Sequence, residues 1–367
     1  MTHRGPVKFG VVGTGGMAGA HARAMAEIPG VKLEACADVD GGRAETFAAE
    51  HGFAQHTTDN ARVFEGCDAV SIVTPDRFHA ELTLAALRAG AHVLCEKPLT
   101  VTLAEARKVS KAAQLASQRG QVHMINFSYR NSAAFHKAQQ LVASGKLGQV
   151  RHVYGRYLQA WLATDVWGPW TRPQWLWRLQ TSAGSGGVLG DVGCHILDFI
   201  TGIAGDVDAL RCSLSTHAKR AKGEADGVTE HGWKKLDAND TATIELSFTD
   251  GGDGVAHATR WAGGLANSVG LMVFGTEGSL AIDLDEGYHR LRVLTGKARH
   301  SASKIGDWKV LDLKPTPSIY KRFVKSIKTG DNDQPDLLRG AQVQAYLDAC
   351  ERSAADGGSK KKVLKWC

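Results

Sequence analysis

Short apolar runs alternate with helix-forming segments throughout the first 125 residues, and this alternation admits few folds. The predicted strands are residues 7–13, 32–38, 69–73, 92–95 and 122–126. The predicted helices, rich in Ala, Leu, Arg and Glu, are residues 18–28, 43–51, 79–89 and 103–119. Because strands that alternate with helices need crossover connections, the pattern predicts an α/β domain with a doubly wound parallel sheet covered on both faces.

A glycine-rich turn follows the first predicted strand, in the pattern G-x-G-x-x-A. Gly13, Gly15 and Gly16 permit a tight turn and a close approach of the backbone to a pyrophosphate. Met17 leads into the next predicted helix, whose N-terminal N–H groups and dipole attract anions. Since a strand precedes the turn and a helix follows it, a dinucleotide site is a stronger interpretation than a chance match among 42 glycines.

Asp38 closes the second predicted strand, near the spacing from the glycine turn at which a carboxylate meets the adenosine ribose. The alternative is a turn residue, which we weigh as the weaker interpretation beside the glycine pattern. The carboxylates of Asp38 and Asp40 would repel a 2′-phosphate, so NAD is favoured over NADP. Arg43 would offset that repulsion if it pointed back at the ribose, although we expect it on the exposed face of the next helix.

Two further polar segments follow predicted strands. They contain Thr74, Pro75, Asp76 and His79, and Glu96, Lys97 and Pro98. Ligands of open parallel sheets bind at the carboxyl ends of the strands, so both segments are predicted to contact the cofactor. The alternative for Glu96 and Lys97 is a surface ion pair of little energetic value. Their position directly after an apolar strand and before a proline favours a role in the site.

From about residue 126 the pattern changes to alternating polar and apolar positions, typical of strands with one buried face. These predicted strands are residues 150–160, 210–216, 241–248, 255–261, 269–274 and 279–284. Residues 218–240 are predicted as a long loop. A chain of 367 residues is too long for one hydrophobic core, so we predict two domains, 1–125 and 126–367.

These motifs together resemble the Gfo/Idh/MocA family of NAD(P)-dependent oxidoreductases, and the resemblance covers essentially the whole chain. Its most specific part is Glu96-Lys97-Pro98, joined by the glycine turn, Thr74-Pro75…His79 and the segment 186–198. The resemblance implies an NAD-binding Rossmann domain over 1–125. It also implies that 126–367 is an α/β domain with an open, largely antiparallel sheet for substrate binding and oligomerisation, as a dimer or tetramer. A cis Lys97–Pro98 bond is implied as well.

Within that family the D-x-x-x-H segment looks most like the inositol and sugar dehydrogenases, which implies that Lys97, Asp191 and His195 form the catalytic group. The spacing supports this, because a helix over 191–203 would place Asp191 and His195 on one face. His195 is then the base, Lys97 stabilises the developing alkoxide, and Asp191 orients a neighbouring hydroxyl. Asp198 either fixes the imidazole or makes a structural contact, and we favour the structural role.

Five of the nine tryptophans lie between residues 161 and 177, directly before Arg178. Aromatic faces suit the C–H faces of a sugar ring, and a guanidinium supplies fixed donors to hydroxyls, so Trp175 and Arg178 are predicted to bind substrate. A hydrophobic cluster or a subunit contact is an equally good interpretation of any single tryptophan.

Composition excludes several classes. The net charge of +6 is spread without a basic stripe, so we expect no nucleic acid partner. Seven cysteines without a C-x-x-C pair predict neither a disulfide framework nor a zinc site, and the fifteen histidines show no metal-ligand spacing. No apolar run is long enough to span a membrane, and the first strand begins at Val7 without an export signal. We therefore expect a cytoplasmic protein.

The sequence thus predicts an NAD-dependent dehydrogenase of carbohydrate metabolism that oxidises a secondary hydroxyl of an inositol or monosaccharide. An NAD-dependent glycosidase of the same fold is one alternative. A nucleotide-binding regulatory protein without turnover is the other, and the presence of Lys97, Asp191 and His195 argues against it.

Overall fold

The computed structural model describes residues 5–219, 230–231 and 234–367, and the chain divides into two compact units. The first unit contains Met1–Ser128, Pro317–Gln344 and Lys365–Cys367. The second contains Tyr129–Thr316 and Ala345–Leu364. The predicted boundary after residue 125 lies close to the division after Ser128, but the segment Pro317–Gln344 belongs to the first unit, unlike in the prediction.

The first unit is built on a six-stranded sheet in the order β3-β2-β1-β4-β5-β6, with all neighbouring strands parallel. Its strands are β1 (Val7–Val12), β2 (Val31–Ala37), β3 (Gln55–Thr57), β4 (Ala69–Ile72), β5 (His92–Cys95) and β6 (His123–Ile125). Its helices that precede Ser128 are α1 (Ala18–Ala26), α2 (Gly41–His51), α3 (Asn60–Gly66), α4 (His79–Ala89) and α5 (Leu103–Gln118). The predicted doubly wound parallel sheet is confirmed.

Burial and capping residues explain why these segments form strands and helices. Every residue of β4 is buried, as expected for a strand covered on both faces. Asp40 caps α2 through the Arg43 N–H, and Thr102 and Glu105 form a capping box at the start of α5. The short β3 and α3 were not predicted, because neither carries an apolar period long enough to be recognised.

A late segment completes the core of the first unit. Helix α9 spans Ile319–Thr329, with Ser318 capping its start through the Lys321 N–H and the left-handed Gly330 following its end. Its buried Ile319, Phe323 and Ile327 lie in the same hydrophobic cluster as Phe9 of β1 and Met25 of α1. Their burial stabilises the packing of α9 by roughly 1.5–3 kcal/mol for each side chain. This packing is the physical reason why the segment joins the first unit.

The second unit contains a nine-stranded sheet in the order β16-β15-β14-β13-β7-β12-β11-β8-β17. Its strands are β7 (Val150–Gln159), β8 (Val207–Ser215), β11 (Thr241–Phe248), β12 (Asp253–Thr259), β13 (Asn267–Gly275), β14 (Gly278–Asp283), β15 (Arg290–Thr295), β16 (Lys309–Asp312) and β17 (Lys361–Lys362). A separate pair is β9 (Glu230–His231) with β10 (Lys234–Lys235). All neighbours in the large sheet are antiparallel except β7 and β12. The predicted open, largely antiparallel sheet is confirmed.

Helices of the second unit are α6 (Ala133–Ala143), α7 (Pro173–Leu176) and α8 (Cys194–Ala204), and α10 (Leu337–Ala355) continues into it from the first unit. Helix α8 packs on β7 and β12, and Gly155 permits this because a Cβ there would overlap Ile200. The predicted helix over 191–203 is wrong at its start. Residues Leu189–Gly193 form a π-helical turn, and α8 begins only at Cys194.

Most of the predicted loop at 218–240 lies outside the described residues, which stop at Lys219 and resume fully at 234. Among the residues that the structure describes, no helix has the length and apolar character required to cross a bilayer.

Candidate active site

The glycine turn between β1 and α1 has the geometry that a dinucleotide requires. Gly13 has a φ of +90°, and a Cβ there would lie 2.8 Å from the backbone of Val73. In contrast, a Cβ at Gly15 or Gly16 would meet no heavy atom within 4 Å. Met17, at the N-cap of α1, is half exposed beside this open space. The open backbone at a helix N-terminus fits a pyrophosphate, so the turn fits the dinucleotide that the sequence implies.

Asp38 lies directly after β2, and both of its carboxylate oxygens accept hydrogen bonds. One accepts from the backbone N–H and the hydroxyl of Thr14, at 2.9 and 2.8 Å, and the other from the Asp40 N–H at 3.0 Å. Arg43 is exposed, as expected, and it also points back at this carboxylate, with 2.8 Å between its Nη2 and Asp38 Oδ1. Burial opposes ionisation of Asp38, but the hydrogen bonds from Asp40 and Thr14 outweigh it and lower its pKa.

The segment after β4 begins with Thr74, whose hydroxyl oxygen is buried without a hydrogen-bond partner among the described residues. Pro75 is exposed and leads into a short 3₁₀ turn that contains the half-buried Asp76. His79 opens α4 and is only 1% exposed, so its ring lies behind this loop and not on its surface.

The segment after β5 is held from inside the first unit. Glu96 Oε1 lies 2.8 Å from His21 Nε2 on α1 and 2.5 Å from Asn126 Nδ2, and its Oε2 accepts from the Lys97 N–H. Burial opposes ionisation of Glu96, but His21, Lys97 and Asn126 outweigh it and lower its pKa to about 2. The Lys97–Pro98 bond is cis, which confirms that expectation, and the Lys97 side chain is half-buried.

In the second unit, Asp191 lies in the π-helical turn and is bound by two arginines. Its Oδ2 accepts from Arg260 Nη2 at 3.1 Å and lies 3.6 Å from Arg178 Nε. The Arg260 side chain is fully buried and also donates to the carbonyls of Arg178 and Gly187. Burial opposes its charge and lowers the pKa of the guanidinium, which Asp191 counters. A guanidinium nevertheless stays protonated near neutral pH, so Arg260 presents a buried positive charge to the Asp191 carboxylate.

His195, on the first turn of α8, is 7% exposed and lies among aromatic rings. The Tyr129 ring meets it edge-on at 5.0 Å, and the Tyr157 ring centroid lies 6.0 Å away. The Tyr129 hydroxyl donates to the Tyr157 hydroxyl at 2.7 Å, and Asn267 bonds to both tyrosines. Burial and the neighbouring Tyr129 raise the pKa of Tyr157 well above its ordinary value. The Tyr157 hydroxyl therefore stays neutral near the imidazole.

The tryptophan-rich segment forms a small hydrophobic core of its own. Trp161 is buried, and the half-buried Trp175 lies 5.9 Å from the ring centroids of both Trp161 and Trp167. Arg178 lies over the rings of Trp175 and Trp177, at 5.3 and 4.6 Å. The cluster interpretation therefore holds for Trp161 and for Trp175, which packs against the same cluster, whereas Arg178 reaches from the Trp175 ring to Asp191.

Asp198 has a structural contact, as we favoured. Its two oxygens accept from Arg130 Nε and Nη2, at 2.8 and 2.7 Å, in a buried bidentate ion pair. Among the residues that the structure describes, no group of three His, Cys, Asp or Glu side chains is arranged to hold a metal ion.

Several residues that contact the predicted site residues were not found from the sequence. Arg260 directly follows β12, inside the run predicted as a strand, and no motif marks it. Tyr129 and Tyr157 likewise carry no signal that separates them from core residues. Of these residues, only His21 could have been identified from the sequence, because it lies on the helix that directly follows the glycine turn.

The sequence matches two family models. Residues 7–126 match the oxidoreductase family with an NAD-binding Rossmann fold, and residues 135–281 match the GFO/IDH/MocA C-terminal domain.

Relatives agree with these matches. Levoglucosan dehydrogenase of Pseudarthrobacter phenanthrenivorans is 29% identical, over 95% of this chain and 96% of that protein. The NAD-dependent scyllo-inositol 2-dehydrogenase of Bacillus subtilis is 27% identical, over 75% of this chain and 73% of that protein. A structure of levoglucosan dehydrogenase with NADH and levoglucosan superposes with a TM-score of 0.82 at 27% identity, over 98% of this chain and 99% of that one. The chain belongs to the Gfo/Idh/MocA family of oxidoreductases.

Proposed function

We propose that this protein is an NAD-dependent dehydrogenase that oxidises a secondary hydroxyl of a monosaccharide, a sugar derivative or an inositol. The observation that carries the proposal is the similarity, over almost the whole chain, to an enzyme described with NADH and levoglucosan. The site residues support it, since Lys97, Asp191 and His195 are all present and the glycine turn fits a dinucleotide.

Each of these side chains has a chemical task in the proposed reaction. His195 Nε2 or Nδ1 accepts the hydroxyl proton, as an imidazole does near neutral pH, and the rings of Tyr129 and Tyr157 beside it restrict the imidazole. The ammonium of Lys97 donates to the reacting oxygen and stabilises its negative charge. Asp191, held by Arg260, accepts from a neighbouring hydroxyl and orients the sugar. NAD, when bound, supplies the hydride acceptor.

A panel of inositols, aldoses and levoglucosan, scored by NADH absorbance, tests the activity. Lys97→Ala is expected to abolish most turnover, whereas Lys108→Ala, which removes an exposed lysine of α5, is expected to leave it unchanged. A nitrophenyl glycoside forms a separate arm of the test. Release of nitrophenol without net NADH would contradict the dehydrogenase and favour the glycosidase.

We also propose that NAD is preferred over NADP. Asp38 presents an ionised carboxylate after β2, which would repel a 2′-phosphate. Its ion pair with Arg43 also engages the guanidinium that could otherwise bind that phosphate. Asp38→Asn keeps an oxygen that can accept from Thr14, but it removes the negative charge and releases Arg43. The ratio of kcat/KM with NAD to kcat/KM with NADP should therefore fall. Equal kcat/KM values of the wild type with NAD and NADP would contradict this assignment.

A homo-oligomer, dimer or tetramer, and a cytoplasmic location complete the proposal. Tyr154, in the central strand β7, is 40% exposed on the large sheet and serves as the position at which association is probed. All seven cysteines are free thiols, in agreement with a reducing compartment. Sedimentation of the wild type and of Tyr154→Asp tests the assembly, and an unchanged monomer in both would refute it.

A further inference from the structure

His79 lies between two backbone carbonyls at the carboxyl edge of the parallel sheet. Its Nδ1 is 2.7 Å from the carbonyl oxygen of Pro98, and its Nε2 is 2.8 Å from that of Thr74. A carbonyl oxygen only accepts hydrogen bonds, and a neutral imidazole donates from one nitrogen alone. Both contacts are therefore hydrogen bonds only if both ring nitrogens carry a proton.

A second buried histidine of the same unit shows the opposite arrangement. His123 Nε2 lies 2.8 Å from the Ser117 hydroxyl and 3.0 Å from the Ala113 carbonyl, but its Nδ1 accepts from the Leu337 N–H. That backbone donor requires an unprotonated nitrogen, so His123 is neutral. Burial accordingly lowers the pKa of His123.

The ionisable groups that face His79 are Cys95 at the end of β5 and Asp76 on the turn before α4. Burial alone would lower the pKa of His79, but Cys95, Asp76 and the bond to Pro98 outweigh it and raise the pKa to about 10. This direction agrees with the two carbonyl contacts.

We propose that His79 is a buried imidazolium that joins the Thr74 loop to the Lys97–Pro98 loop and is thereby a positioning residue for Lys97. The inference rests on the proposed role of Lys97. Glu96 already anchors the start of that loop through His21, so His79 holds its other side, at the residue directly after Lys97. Because the cation donates to both loops at once, its loss would release one loop from the other and leave Lys97 less well oriented.

The protonation state is tested without any turnover, by NMR of the full chain with ¹⁵N-labelled histidine. Comparison with the spectrum of His79→Gln assigns the His79 signals. We expect both His79 nitrogens to be protonated at pH 7.5, and one unprotonated nitrogen in His123. A neutral His79 ring at that pH would overturn the proposal, whatever the enzyme proves to oxidise.

The positioning role is tested by kinetics and by stability. His79→Gln is expected to lower kcat by roughly 10- to 100-fold, because small misplacements of a catalytic group have effects of that size. NADH affinity, followed by fluorescence, should change less than kcat. His123→Gln is the matched control: it removes another buried histidine of the unit, and its kcat should stay near that of the wild type. Equal losses of kcat in the two variants, or a normal kcat in His79→Gln, would overturn the positioning role.

The pH dependence of unfolding gives a further readout. Because the pKa of His79 is raised in the folded state, protonation of its ring stabilises that state. This contribution is fully present below the unfolded pKa of about 6.5, and it is lost as the pH rises through about 10. The wild type should therefore lose more stability between pH 7 and pH 10 than His79→Gln does. Parallel curves for the two proteins would contradict the buried cation.

Discussion

Asp38 in the first unit and Asp191 in the second are both carboxylates predicted to have a functional role, yet they are held in different ways. Asp38 accepts from backbone N–H groups and from the nearby Thr14 and Arg43, at most 24 positions away. Asp191 depends on the guanidinium of Arg260, 69 positions away and fully buried. The first arrangement follows from a local chain pattern, whereas the second exists only after a whole sheet has formed.

The comparison predicts that cofactor affinity and proton transfer can be separated by mutation. His195→Ala in the second unit should lower kcat by roughly 10²–10⁴, the usual contribution of a general base, with NADH affinity nearly unchanged. Steady-state kinetics and NADH fluorescence measure the two quantities. His300→Ala, at an exposed turn, is the control. An unaltered rate in His195→Ala would reassign the base to Lys97.

A smaller effect is expected from removal of the distant partner. Arg260→Met leaves the Asp191 charge without its buried cation and should lower the free energy of unfolding by about 3 kcal/mol, near the lower end for broken buried pairs because Asp191 is partly exposed.

Arg156→Met is the matched control for Arg260→Met. Arg156 forms an ion pair with Asp283 at 2.9 Å in the same sheet, but both side chains are about one-third exposed. Such pairs contribute about 0–1 kcal/mol. Denaturant unfolding measures both variants, and equal losses would show that Asp191 does not depend on a buried partner.

These contrasts explain which features could be predicted from the sequence and which could not. The parallel sheet, the glycine turn and Asp38 were predicted because each depends on residues close in the chain. The one-sided strands of the second unit were predicted from their alternation, as in the buried pattern of β11. Arg260 and the tyrosines around His195 were missed, because their roles arise from contacts between residues far apart in the chain. The π-helical turn was missed because its hydrogen bonding has no spacing of its own in the sequence.

Trp175 sharpens the comparison further, because it packs on a core cluster and its ring lies under Arg178, which reaches Asp191. If the ring lies in a subunit contact, its loss should cost on the order of 2 kcal/mol of association free energy. We expect a raised substrate KM in Trp175→Ala and Arg178→Ala, with unchanged sedimentation. A smaller oligomer with a normal KM in both variants would assign the segment to a subunit contact.

The smallest effect is confined to acid solution and concerns the first unit. The pKa of Glu96 lies at about 2, below its ordinary value of 4.5, so its ionised form stabilises the fold fully above pH 4.5. That contribution is lost as the pH falls toward 2. Glu96→Gln should therefore show a shallower decline of unfolding free energy between pH 4.5 and 2 than the wild type. Superimposable slopes would mean that Glu96 is not held as a buried carboxylate.

The late segment Pro317–Gln344 has a consequence for synthesis. A ribosome releases the chain from its N-terminus, but the first unit needs α9, which follows strands β7 to β16 of the second unit. Until Ile319, Phe323 and Ile327 emerge, the nascent chain exposes the apolar surface around Phe9 and Met25 that they later cover. The unit that is translated first is thus completed late, and a fragment ending at Ser128 should aggregate or require a chaperone.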